Sequence, residues 1–90
     1  MESQKIVYIG RKPVMAYTMA VMTALRNEGE EVTLMARGRA ISKAVDVAEV
    51  VCNQFIEELQ VKEISIGTEE LENEDGGTRN ISNISIMLSR

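Results

Sequence analysis

Two short basic segments carry the side chains best suited to recognition. They are Gly10-Arg11-Lys12-Pro13 and Arg37-Gly38-Arg39, with Lys43 one turn beyond the second. Each precedes a stretch of helical periodicity. A helix start normally takes Ser, Thr, Asp or Asn as its cap and acids in its first turn, because its first N–H groups lack partners and its dipole is positive there. Cations in those places cost about 0.5–1 kcal/mol at each start. An anion from outside reverses the balance, since free N–H groups and basic side chains then converge on one phosphate. The competing reading is plain: Arg and Lys in loops are also what a solvated surface carries. Arg37-Gly38-Arg39 is not a glycine-rich phosphate loop, and no Walker or dinucleotide fingerprint occurs.

Other chemistry is poorly provided for. The chain has no His, so imidazole acid–base catalysis and His metal ligation are absent. Cys52 is the single cysteine, which rules out an internal disulfide, and its place on an apolar helical stripe marks it as an inert thiol. Glu69, Glu70, Glu72, Glu74 and Asp75 form an acidic run, but their spacing does not fit an EF-hand loop and no concave site is implied. No enzyme, metal site, cofactor or small-molecule substrate is expected. Asn80-Ile81-Ser82 and Asn83-Ile84-Ser85 match glycosylation sequons, which carry no weight without a secretory signal.

These residues must be positioned by one domain spanning 1–90, since 90 residues are not comfortably enough for two. Hydrophobic residues make up 44% and charged residues 27%, an ordinary globular composition with only Tyr8, Tyr17 and Phe55 as aromatics. No apolar run approaches the ~20 residues that span a bilayer, and the N-terminus lacks the regions of a signal peptide. A cytoplasmic protein with no membrane partner is therefore expected. The net charge of −4 is unevenly spread: residues 1–48 carry +2 and residues 49–90 carry −6. An acidic whole argues against a generic polyanion binder and does not exclude a local basic face.

Lys5–Ile9 reads as a first strand closed by Gly10, and Pro13–Glu28 as a helix ended by Gly29. Val14, Tyr17, Val21 and Leu25 share its buried face. Met15, Met19 and Met22 widen that face, so the helix is expected to be covered on more than one side. Glu31–Ala36 alternates as a second strand, parallel to the first by the right-handed crossover rule. A second helix is expected from about Ala40 to Leu59, with Ile41, Ala44, Val45, Ala48, Cys52, Phe55 and Leu59 buried. Ile64 and Ile66, then Ile84, Ile86 and Leu88, mark two half-buried strands around a Glu74-Asp75-Gly76-Gly77 turn. The apolar alternation lapses over residues 67–80, which implies a hairpin projecting beyond the body. The expected fold class is α/β (an α+β two-layer arrangement) in the order βαβαββ, with two helices on one face of a four-stranded mixed sheet and a long protruding hairpin between the last two strands. Both basic segments then lie on the same sheet edge. Val47, Val50 and Val51 are apolar positions that one small domain is not expected to cover, and a symmetric dimer is the commonest way to bury them.

Ile9-Gly10-Arg11-Lys12-Pro13-Val14-Met15 and Ala36-Arg37-Gly38-Arg39-Ala40-Ile41-Ser42-Lys43-Ala44-Val45-Asp46 closely resemble the two signature segments of Alba, the archaeal chromatin family. The resemblance covers nearly the whole chain. It implies a homodimer, associated with the chromosome, that binds double-stranded DNA and RNA with little sequence preference. By the same resemblance Arg11, Lys12, Arg37, Arg39 and Lys43 contact backbone phosphates, Gly38 permits the turn presenting its arginines, and Arg79 approaches the minor groove from the hairpin. Phe55 matches an aromatic position used between dimers, although a plain core Phe fits its place equally well.

Three departures stand out. Arg11 replaces the family's acetylated lysine, leaving Lys12 as the residue open to acetylation. Cys52 and Gln54 stand where relatives often carry arginines. The five arm acids stand where neutral or basic residues are expected. Weakened nucleic-acid affinity follows from that arm. The alternative is an acidic dimer of the same fold that has lost general DNA binding and serves a structured RNA or a protein partner.

Overall fold

The computed structural model describes residues 5–28 and 31–90. Strand β1 (Ile6–Tyr8) pairs in parallel with β2 (Glu31–Arg37), joined across the sheet by helix α1 (Val14–Glu28). Helix α2 (Ile41–Val50) then leads to β3 (Gln60–Glu72) and β4 (Thr78–Ser89). The strand order is β1-β2-β4-β3, so antiparallel β4 inserts between β2 and β3. This is the mixed four-stranded sheet with two helices that the residue pattern implies. The helices lie over β1, β2 and β4. Leu34, Leu88, Val21, Val32, Val47 and Val51 are fully buried between the layers. Each contributes roughly 1.5–3 kcal/mol of transfer free energy.

Several local expectations shift. Strand β1 is shorter than Lys5–Ile9, because Ile9 turns into the core while its N–H still bonds Met35 O at 2.9 Å. The stop at Gly29 lies outside the described residues. Met15 and Met19 are about half exposed, so α1 is covered on one side only: the sheet and α2 fill its inner face and no third layer lies outside it.

Helix α2 ends earlier than Leu59 and sits rotated from the expected stripe. A tight 3₁₀ turn at Gly38–Ala40 precedes it, and a π-helical turn at Val51–Phe55 closes it, with Ile56 N donating to Val51 O at 2.8 Å. The wider turn inserts an extra residue per revolution and swings Phe55 outward. Val47 and Val51, expected to be uncovered, are fully buried; Val45 and Phe55, expected inside, are exposed.

The uncovered apolar surface lies instead on edge strand β3. A bulge at Lys62 pairs Val61 with Leu88 and Glu63 with Met87, which brings Val61 onto the face shared by Ile64 and Ile66. That face is the helix side of the sheet, but the helices stop short of β3. Ile64 and Ile66, read as half-buried, are 56% and 81% exposed. Beyond the Gly67–Asn83 pair, the backbones of β3 and β4 pair only with each other and project as an arm to a turn at Gly76, whose φ of 92° suits glycine.

Candidate nucleic-acid interface

The start of α1 is built by a side chain that periodicity marks only as core. Gly10 N and Lys12 N donate to Tyr17 Oη at 2.9 and 3.0 Å. Tyr17 sits one turn into the helix, and helical side chains lean back toward the N-terminus, so its phenol oxygen reaches the loop. Tyr17 thus satisfies two N–H groups of the loop that precedes α1; within the first turn of the helix, Ala16 N donates to Pro13 O at 3.0 Å. Lys43 secures the same loop from α2, its Nζ donating to Gly10 O at 3.2 Å and Lys12 O at 2.6 Å. The ammonium thereby ties the Arg11–Lys12 loop to the start of the second helix.

At the second start the grouping differs. Arg37 is extended at φ −142°, Gly38 turns at φ +61°, and no side chain caps the Gly38–Ala40 turn or α2. A Cβ on Gly38 would also meet Ile81 Cδ1 at 2.9 Å. Glycine is favoured here by its backbone angle, and the Ile81 contact, made by the tip of a flexible side chain, adds little to that requirement.

Arg37 is not free. Its guanidinium donates to Glu69 Oε1 at 3.0 Å, and Asn83 Nδ2 donates to Glu69 Oε2 at 2.8 Å. The Asn83 amide, and after it Arg37, hold the Glu69 carboxyl below the usual carboxylate range. Sequence spacing did not reveal this cluster, since it is assembled across three strands.

Arg11, Lys12, Arg39 and Arg79 are exposed and have no ion-pair partner among the described residues. Arg79 stands apart, out on the arm opposite Leu71. Pairing of Glu69 with Ile81 and Leu71 with Arg79 puts Glu69 on Arg79's face of the hairpin, while Glu70 and Glu72 fall on the other. Glu74 and Asp75 lie at the tip. Cys52 is half-buried; burial, with Glu49 adding to it, pushes its thiol up and keeps it protonated. No group of three or more His, Cys, Asp or Glu among the described residues is placed to hold a metal ion, and no helix there is long and apolar enough to cross a membrane.

Comparison with known proteins matches residues 5–68 to the Alba family model. The DNA/RNA-binding protein Alba of Methanocella arvoryzae is 46% identical over 90 residues, covering 100% of this chain and 94% of that one. DNA/RNA-binding protein Alba 1 of Archaeoglobus fulgidus is 47% identical over 98% of each chain. The solved structure of Alba from Thermoplasma volcanium superposes with a TM-score of 0.88 at 44% identity, over 96% of this chain and 100% of that one. On its sequence and its fold, the chain belongs to the Alba family.

Proposed function

We propose that this protein binds nucleic acid, as the names of its relatives state for them, and that it does so as a dimeric chromatin protein gripping the phosphate backbone of double-stranded DNA and RNA without sequence specificity. The observation that carries this reading is the Lys43 ammonium bridging Gly10 O and Lys12 O, because it joins two basic loops into one surface. Arg11, Lys12, Arg37 and Arg39 supply the phosphate contacts, Lys43 holds them together and adds its charge, and Arg79 extends contact along the arm. Its place in the cell is the cytoplasm, on the chromosome. No catalytic step is needed, and the chain acts as a binding protein rather than an enzyme.

The dimer rests on the bare stripe of Val61, Ile64 and Ile66 beside exposed Val45. Two copies related by a two-fold axis bury these residues against each other. This replaces Val47 and Val51 as the apolar surface in need of a partner. Phe55, exposed past the helix end, is free to contact a neighbouring dimer.

Six candidate cations per protomer face five arm acids, so affinity is weakened. The two faces of the arm differ. Glu69 lies on Arg79's side, whereas Glu70 and Glu72 act from the far side, further from a phosphate met there and so more screened. The Arg37–Glu69 pair also favours the second reading, a dimer that has given up general DNA binding for a structured RNA or a protein partner.

Titrating duplex DNA and duplex RNA at two salt concentrations separates the readings. Phosphate binding gives affinity that falls steeply with salt and is alike for unrelated sequences. No duplex binding at low salt overturns the first reading.

A further inference from the structure

The face of the sheet turned away from the helices carries a concavity of about 570 Å³, within the range of small-ligand sites. We propose that it takes an unpaired base of single-stranded RNA, whose phosphate lies on Arg37; this deepens the reading above and rests on it.

Strand register defines the floor. Tyr8 pairs with Met35, Met35 with Ser85, and Ser85 with Ser65, a single row across all four strands. The next row is Arg37, Asn83 and Gly67, and the Asn83 amide lies over Gly67, where a Cβ would meet its Oδ1 at 3.0 Å. Tyr8 is 70% exposed in a chain with only three aromatic rings, and its ring stands at the rim. No hydrogen bond satisfies the Tyr8, Ser65 or Ser85 hydroxyl among the described residues.

An aromatic ring, a thioether and two free hydroxyls in one hollow match a nucleobase, which offers a flat face for stacking and polar edges for hydrogen bonds. Arg37 at the end of the hollow supplies the cation, with its partner Glu69 also in the lining. Its guanidinium has five N–H donors, and the bond to Glu69 leaves others for a phosphate. Because Arg37 belongs to both the hollow and the basic loops, a strand held at the loops passes directly to the hollow. Duplex bases are stacked and cannot enter, so the occupant is unpaired, as in RNA loops and ends. The side chains of the stripe proposed for dimer contact point from the opposite face of the sheet, and Ile66 is the one stripe residue that also lines the hollow.

The test compares an oligoadenylate RNA with a duplex RNA of equal length by fluorescence anisotropy. Tyr8→Ala is expected to weaken single-strand binding roughly 5- to 150-fold, the range for loss of one base–aromatic stack, while duplex binding changes less than twofold. Tyr8→Phe keeps the stack and restores single-strand binding. Unchanged single-strand affinity in Tyr8→Ala, or equal weakening of both ligands, overturns the proposal. A second measurement does not depend on the loops: adenosine monophosphate added to labelled protein is expected to shift the amide resonances of Tyr8, Ser65 and Ser85. Shifts elsewhere, or none, overturn the pocket. Loss of duplex binding alone, with these shifts present, overturns the phosphate-surface reading and leaves the hollow standing.

Discussion

Glu69 is the residue on which the electrostatics turn, because it is at once an arm acid and the partner of a candidate phosphate contact. With its carboxyl held low by Asn83 and Arg37, the folded state favours the charged form. The stability it contributes is present above the ordinary glutamate range and is lost as the pH falls through its lowered value. A carbon-detected NMR titration should find Glu69 ionising below the ordinary glutamate value of 4.5, with Asn83→Ala and Arg37→Ala each raising its midpoint. Glu69→Gln frees Arg37 and should strengthen duplex binding at low salt; in an Arg37→Ala background that gain should largely vanish. Tyr17 tests the other start. Tyr17→Phe leaves two backbone N–H groups without their acceptor and should cost about 1–2 kcal/mol in denaturant unfolding, at the usual net value per hydrogen bond.

Helix starts and the hairpin act as units. If the loops bind phosphate, Arg37→Ala with Arg39→Ala should weaken binding for all sequences alike and make the salt slope shallower by roughly 0.9 per lost contact on duplex DNA. An unchanged slope places the surface elsewhere. The arm is tested by replacing Glu69, Glu70, Glu72, Glu74 and Asp75 with Gln or Asn. Stability should shift within about ±0.5 kcal/mol at each of Glu70, Glu72, Glu74 and Asp75, and fall at Glu69, whose bonds to Asn83 and Arg37 are weakened. Duplex affinity should rise steeply at low salt and little at high salt, because the removed repulsion is screened. The split between the arm's faces adds an order within that effect: neutralising Glu69 should matter more than neutralising Glu70 and Glu72 together.

For the molecule as a whole, the bare side of β3 is where the proposed dimer can be tested. Light scattering at micromolar concentration should report about twice the 10.0 kDa chain mass. Ile64→Glu with Ile66→Glu should yield monomers, since charges placed in an apolar interface lose their hydration without gaining partners. Both residues are already exposed in the single chain, so this variant should keep its helical circular dichroism. A monomeric parent protein would remove the basis for a two-sided grip on a duplex.

The residue string by itself determined the element order, the parallel first unit, the projecting hairpin and the two basic segments. These depend on local periodicity, turn residues and composition, which act between near neighbours in the chain. It also determined the family, through the long segment around Arg37 and Lys43. The tertiary structure decided which side of α2 faces inward, because a stripe with spacings of three and four fits two adjacent rotations and only packing under β2 and β4 chooses Val47 and Val51 over Val45. Packing likewise left β3 without a helix, and that turned two residues with a half-buried pattern into an open apolar face. Tyr17 on the loop before α1, Lys43 as a staple and Glu69 on Arg37 join residues 5 to 33 positions apart. Each depends on a bond closed in three dimensions, to which periodicity is blind.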